Sequence, residues 1–499
     1  MIAFADAIKP PLRARAPLEI QSPGATINGR RAWIQPVKLV ITEIKSALPE
    51  KGYVFFKYKK NRMAKWKCEE KVDALYASGR QLTSLISKGH RTRPVAGARA
   101  HAILQSSDPP NFNQCLSSVN TSMCKVIDTM KMSQSVRKEL NIRDILYEAT
   151  APGARAKKNS TCFLTLCTWL ITHKDELVGV ESINLTNIGL SDKSVNMIHF
   201  ANVLRNGAAL ASLTHLYLDR NQIGHNGMIA FADAIKPIDE IPMGSLASLQ
   251  ILRLDANEID DEGMKAFSTA LSSGSLASLT TLRLDANQIG DAGMIAFSEA
   301  LKPNSNFPMG SLASLKELDL SDNQIGVEGM KAFSGALSSG ALASLTKLYL
   351  PENPIGDEGM KAFSSALSSG AALATLTELY LGVNQIGDSG MVAFADAIKP
   401  TAEFPMGALA SLKELGLNAN QIGDDGMKAF SSGLSSGALA SLTHLHLDRN
   451  QIGHNGMIAF ADAIKPTDEI PMGSLASLTH LYLDANQIGD NGMIAFADA

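Results

Sequence analysis

At 499 residues the chain exceeds the size at which one hydrophobic core usually stops growing, so it is either several domains or a one-dimensional repeat array. The net charge of −3 conceals an asymmetry: residues 1–180 carry 29 Lys+Arg against 14 Asp+Glu, an excess of 15 basic groups, whereas residues 181–499 carry 17 against 35, an excess of 18 acidic ones. All five cysteines (Cys68, Cys115, Cys124, Cys162 and Cys167) fall in the basic part. An odd number, no C-x-x-C pair and no basic-then-apolar leader argue against a secreted disulfide scaffold and for free thiols in a soluble, cytoplasmic protein. The longest apolar stretch of note, around Phe163–Ile171, is too short to cross a bilayer, so no membrane partner is expected.

Taken from the N-terminus, Met1–Pro10 is identical to Met228–Pro237 and to Met457–Pro466, a stray copy of a repeat helix without its strand. Residues 11–110 are expected to be a basic region of low order. Residues 11–60 are rich in Pro, Arg and Gly, and Val37–Ile44 and Tyr53–Phe56 are the best strand candidates. The stretch KYKKNRMAKWK at 57–67 mixes cations with aromatics, but no nucleic-acid-binding motif frames it; a solvated basic face is the simpler account, and nucleic acid is not an expected partner. Residues 111–179 are expected to be a small helical segment. Val126, Met130, Ile142, Ile145 and Leu146 have helical spacing, and the amphipathic run Cys162–Leu177 is a candidate cap for the repeats C-terminal to it.

From residue 180 to 499 the sequence repeats itself about ten times. Nine asparagines mark the register, Asn221, Asn257, Asn287, Asn323, Asn353, Asn384, Asn420, Asn450 and Asn486, spaced 36, 30, 36, 30, 31, 36, 30 and 36 residues apart. One repeat reads Leu246, Leu249, Leu252, Leu254, Asn257, Ile259, Met264, Phe267 and Leu271. Leu252 and Leu254, two apart, share one face of a short strand. Met264, Phe267 and Leu271 then form the inward stripe of a helix, so the period switches within each repeat. The Asn between them can satisfy turn amides and carbonyls that no ladder reaches, a structural role. A single unit cannot cover its own apolar face, so stacking builds the core. Residues 180–210 fit as a degenerate N-terminal cap, with Ile183 and Leu185 at the strand positions and Ile188 at the asparagine site. The pattern breaks off at Ala499 partway through a helix, which points to a C-terminally truncated array. Residues 211–249 and 440–478 differ only at Tyr217/His446 and Ile238/Thr467, as a recent duplication would leave them.

The run L-x-x-L-x-L-x-x-N-x-I-G-D-x-G, as at Leu279–Gly293, resembles the long leucine-rich repeats of ribonuclease inhibitor, NOD-like receptors and Ran GTPase-activating proteins, over about residues 180–499. The resemblance implies an α/β leucine-rich-repeat solenoid, a horseshoe with parallel strands on the concave face and helices on the convex one, preceded here by a basic, partly disordered N-terminal region. It implies a protein-binding module acting as inhibitor or scaffold; the alternatives are a regulator of a small GTPase or a fragment of a NOD-like innate sensor. Two departures matter. These repeats contain no cysteine, unlike those of ribonuclease inhibitor, and no G-x-x-x-x-G-K-[ST] occurs, as a complete NOD-like receptor requires.

If the leucines point inward, the residues between and after them face the groove. Those expected to bind a partner are Tyr217, Asp219, Arg253, Asp255, Arg283, Asp285, Asp319, Tyr349, Tyr380, His446, Asp448, Tyr482 and Asp484. Tyr and Arg anchor protein interfaces, and the Asp column makes the wall acidic, so a basic protein surface or segment is the expected partner. A second candidate rim is the insert KP-x-x-x-x-x-PMG at Lys236–Gly244, Lys302–Gly310, Lys399–Gly407 and Lys465–Gly473, whose simpler account is an inherited spacer. The chain lacks H-E-x-x-H, G-x-S-x-G, G-x-G-x-x-G and Cys/His spacing suited to zinc, so neither catalysis, nor a cofactor, nor a small-molecule substrate is expected. His215, His444 and His480 recur through duplication, and the acidic turns Asp260–Glu262 and Asp424–Asp425 are expected to cap helix starts.

Overall fold

The computed structural model describes four strands within residues 18–39, residues 139–142 and 160–172, and residues 177–499 apart from 178, 192–195, 206–209, 240–243, 370–372, 403, 469 and 471–472. Two units are distinguished, Met1–Thr121 with Asn159–Trp169, and Ser122–Lys158 with Leu170–Ala499. In the first, β1 (Leu18–Ile20) pairs antiparallel with β4 (Val37–Leu39), and β2 (Ala25–Ile27) with β3 (Arg30–Ala32). The strand candidate at Val37–Ile44 thus forms over its first three residues; Tyr53–Phe56, the basic stretch at 57–67 and Met1–Pro10 lie outside the described residues. Helix α1 spans Ser160–Thr172.

The second unit is an eleven-stranded sheet in strict sequence order. Its strands are β5 (Glu139–Asn141), β6 (Ser182–Asn184), β7 (His215–Tyr217), β8 (Ile251–Arg253), β9 (Thr281–Arg283), β10 (Glu317–Asp319), β11 (Lys347–Tyr349), β12 (Glu378–Tyr380), β13 (Glu414–Gly416), β14 (His444–His446) and β15 (His480–Tyr482). Every neighbouring pair is parallel. The register sets like against like, Leu216 beside Leu252, Leu282, Leu318 and Leu348. Parallel pairing demands a crossover between strands, and from β6 onward a helix supplies it each time: α2 (Asn196–Arg205), α3 (His225–Ile235), α4 (Asp261–Ser272), α5 (Asp291–Leu301), α6 (Val327–Ser338), α7 (Gly356–Ser368), α8 (Asp388–Ile398), α9 (Asp424–Ser435), α10 (His454–Ile464) and, after β15, α11 (Gly489–Ala497).

The sheet begins one strand before the repeat pattern does. Ile142, which spacing places in a helical frame, directly follows the strand β5: Leu140 and Ile142, two apart, are both fully buried, as Ile183 and Leu185 are in the next repeat. The tetrapeptide Glu139-Leu140-Asn141-Ile142 repeats the chemistry of Ser182-Ile183-Asn184-Leu185, a signal too short to stand out without its pairing partner.

Between strand and helix the asparagines carry the turn. Asn353 donates from Nδ2 to the carbonyls of Leu320 (3.0 Å), Leu350 (3.1 Å) and Pro351 (3.1 Å), and its Oδ1 accepts from the Ile325 amide at 3.0 Å, so one side chain ties two repeats together. The residue before each Asn lies in the left-handed region, for example Ala256 (φ 52°), Ala286 (φ 53°) and Glu352 (φ 56°), which costs about 1–2 kcal/mol for a residue with a Cβ. Where the first repeat has Ile188 in place of Asn, Asn221 Oδ1 of the following repeat accepts the amides of Ile188, Gly189 and Leu190 at 3.1, 3.0 and 3.2 Å.

The acidic turns do cap helices, but mostly those of the next repeat. Asp260 accepts from the Gly263 amide of its own helix α4. Asp261 Oδ1 accepts from Gly290 and Gly293 at the start of α5, both at 2.8 Å, and Asp291, Asp357, Asp388 and Asp424 do the same for α6, α8, α9 and α10. Val327 and His454 stand where that Asp would be, and the helices after them, α7 and α11, have no side-chain cap and begin at Gly356 and Gly489 in the left-handed region (φ 62° and 64°). The core itself is a row of fully buried phenylalanines, Phe267, Phe297, Phe333, Phe363, Phe394 and Phe430, behind the leucine pairs.

Candidate binding surface

Because each strand from β6 to β14 buries its central Leu or Ile and the leucine two residues on, the interleaved side chains stand on the open, concave face of the sheet. Three columns result: the first strand residue, the third, and the residue two further on. The sequence-predicted residues occupy the second and third columns, and the face divides into two chemically different halves.

From β6 to β10 the charges are engaged with one another. Arg253 forks onto Asp255, Nε to Oδ1 at 3.0 Å and Nη2 to Oδ2 at 3.1 Å, with Asp219 at 4.0 Å. Arg283 reaches across to Glu317 of the next strand, with Nε at 3.2 Å and Nη2 at 3.0 Å from Oε1. Asp219 accepts the Thr186 hydroxyl at 2.9 Å, and Asp319 folds onto its own turn, accepting from the amide (3.1 Å) and hydroxyl (2.6 Å) of Ser321. Asp219, Asp255 and Asp319 are buried, 3%, 5% and 9% exposed, so they support the sheet as much as they decorate it. Asp285 is different. Its Oδ1 is buried with no hydrogen-bond partner, and burial, together with the Asp319 and Asp255 carboxylates, pushes its pKa up to about 7. The hydrogen bond to Asp255 holds the Arg253 guanidinium above its ordinary pKa. Tyr217 is half-buried, with its ring 6.3 Å from that of His215.

From β11 to β15 the second column becomes aromatic. The rings of Tyr349 and Tyr380 stack at 5.3 Å and 22°. The Tyr349 hydroxyl donates to Glu378 and that of Tyr380 to Glu414 at 2.6 Å, while Lys347 pairs with the other oxygen of Glu378 at 2.6 Å. Burial and the neighbouring carboxylates push both phenols well above their ordinary pKa. The ladder crosses β13 because Gly416 has no side chain: an added Cβ there would lie 2.5 Å from Tyr380 Cδ1. Tyr380 consequently reaches His446 (6.1 Å), which stacks on Tyr482 at 4.4 Å and 8°. In the first column His444 and His480 stack at 4.3 Å and 6°. Burial lowers the His446 pKa, favouring the neutral ring. Asp448 is half-buried and Asp484 exposed.

The structure therefore brings Tyr349, Tyr380, His446 and Tyr482 into one continuous row, and ties Arg253 and Arg283 into internal pairs. Sequence reasoning missed the first column, Glu317, Lys347, Glu378, Glu414, His444 and His480, as partners of the second. The alternation that selects the second column selects the first as well, one residue before the leucine. Among the described residues no group of three or more His, Cys, Asp or Glu side chains is arranged to hold a metal ion, and no helix is long and apolar enough to cross a membrane.

The family description "Leucine Rich repeat" matches nine segments, 209–232, 245–268, 275–298, 311–334, 341–364, 372–395, 408–431, 438–461 and 474–497. Together with the stacked strand–helix units, this identifies a leucine-rich-repeat protein, and leucine-rich repeats are generally protein-interaction modules. No curated protein matches the chain. Among solved structures it is similar to a TDR receptor (16% identity, covering 64% of this chain and 46% of that one, TM-score 0.34), to an internalin, inlF, from Listeria monocytogenes (18%, 66% and 91%, 0.31), and to TLR13 in a complex with ssRNA13 (18%, 63% and 34%, 0.33). The chain thus spans less than half the length of the first and third, and at these scores the likenesses carry no argument about partners.

Proposed function

We propose that this chain is a non-enzymatic protein-interaction module of the ribonuclease-inhibitor kind, an inhibitor or scaffold that holds a basic protein surface against the open face of its sheet. The observation that carries this is the charge of that face. Its columns hold the carboxylates of Asp219, Asp255, Asp285, Glu317, Asp319, Glu378, Glu414, Asp448 and Asp484 against three cations, Arg253, Arg283 and Lys347, each already paired with one of those carboxylates. What remains is net negative, which attracts cationic surfaces, repels polyanions such as nucleic acid, and weakens with salt. A cytoplasmic setting fits the buried free thiol of Cys167, whose pKa burial pushes far above the ordinary value, leaving it inert.

The test is affinity capture with the full chain at low and high salt, followed by charge reversal at Asp219, Asp255 and Asp285. The expected partner is basic, is released by salt and is lost on reversal. Capture of the same partner by a correctly folded reversed variant removes this face from the function.

A further inference from the structure

The arginines of the acidic half show how this sheet seats a guanidinium. Arg283, in the second column of β9, places its fork on Glu317 in the first column of β10. Along β11 to β13 the same diagonal is occupied by Tyr349 and Glu378, then by Tyr380 and Glu414. A phenol has replaced the guanidinium, so the carboxylate stays in place beside a half-buried aromatic ring. Each phenol engages one carboxylate oxygen; Lys347 takes the second oxygen of Glu378, and no donor among the described residues reaches Glu414 Oε1. The third column beside these rings holds Pro351, Gly382 and Asn418 where the other half has Asp219, Asp255 and Asp285, so nothing charged covers the rings from that side. Tyr482, 39% exposed and stacked on His446, ends the row next to Asp448 and Asp484.

We propose that this aromatic–carboxylate row is the anchoring half of the groove, and that its ligand is an arginine-bearing segment of the partner, the guanidinium lying on the Tyr380 ring with an N–H directed to Glu414. A planar guanidinium satisfies both requirements at once, stacking on the ring while forking to a carboxylate; an ammonium satisfies only the second well. A phenol that donates its proton to a carboxylate carries more electron density in its ring, which strengthens attraction for a cation. An apolar segment would leave Glu414 Oε1 without a donor, and a polyanion would meet Glu378, Glu414, Asp448 and Asp484. The acidic half, with its arginines already forked, then supplies field and not anchors. This inference rests on the reading of the open face as the binding surface and adds where and by what chemistry the partner is held.

The experiment titrates the full chain with fluorescent octa-arginine, with octa-lysine, and with octa-citrulline, which has the same shape without the charge. Octa-arginine is expected to bind more tightly than octa-lysine, and octa-citrulline not to bind. Tyr380→Phe keeps the ring and retains most of the affinity; Tyr380→Leu keeps apolar bulk without the π face and weakens octa-arginine roughly five- to thirtyfold. Tyr217→Leu, in the other half, weakens it less than Tyr380→Leu does. Equal binding by the Phe and Leu variants, or equal loss on Tyr217→Leu and Tyr380→Leu, overturns the anchoring row. Either result leaves the binding-face reading standing if charge reversal at Asp219, Asp255 and Asp285 still releases the captured partner. Competition by a single-stranded RNA oligomer that is tighter than octa-arginine overturns the inference outright.

Discussion

Replacing Asn353 tests whether the inter-repeat turns hold this array together. Its amide offers two protons, shared among the carbonyls of Leu320, Leu350 and Pro351, and its oxygen accepts the buried Ile325 amide. Asn353→Ala removes about three hydrogen bonds worth about 1 kcal/mol each and leaves the Ile325 N–H unsatisfied, so about 3–4 kcal/mol is expected. Asn353→Asp is nearly isosteric and should be worse at neutral pH, because a buried carboxylate then faces three carbonyl oxygens with no donor to offer; protonation at acid pH should recover part of the loss. Glu352, just before it, sits at φ 56°, so adding Glu352→Gly to the Ala variant should restore about 1 kcal/mol. Urea unfolding gives the totals, and amide exchange shows where the damage lies: in a nearest-neighbour array Ile325 and Leu350 should lose protection while distant repeats keep theirs. An Asn353→Asp variant as stable as Asn353→Ala at neutral pH, or a loss spread evenly over all repeats, would refute the reasoning.

Asp285 titrates near neutrality because its folded-state pKa is raised from 3.8 to about 7. Below about pH 4 both folded and unfolded states are protonated and there is no penalty; as pH climbs towards 7 the unfolded chain ionises freely while the folded one resists, so stability falls. Asp285→Asn should abolish that decline and add about 1–2 kcal/mol above pH 7, after discounting for partial exposure; an NMR titration placing the Asp285 carboxyl near 4 would contradict this. Asp388→Ala removes the acceptor for the Gly423 and Gly426 amides and should cost about 1–2 kcal/mol, with faster amide exchange at the start of α9, whereas His454→Asp should give α11 the cap it lacks and add about 1 kcal/mol. Gly416→Ala should change the melting temperature little, since better strand propensity offsets a movable ring, yet weaken octa-arginine binding by displacing Tyr380 from Glu414.

Local chemistry wrote much of this fold into the sequence. The L-x-L pairs, the Asn register and the M-x-x-F-x-x-x-L stripe act within a few residues, and their recurrence at 30 to 36 residues fixes a parallel sheet with helical crossovers and the columns of its open face. Whatever depends on a neighbouring repeat was decided only by the tertiary structure. Asp261 reads as a helix cap, and only the stacking shows that the helix it caps is the next one; Leu140 becomes a strand residue because β6 is there to pair with it; Glu414 and Gly416 gain meaning only when Tyr380 leans across from β12. The physical reason is range. Backbone propensity and periodicity operate along the chain, whereas a carboxylate, a phenol or an amide takes the partner that stacking brings within about 3 Å, and in this array that partner is commonly some thirty residues away.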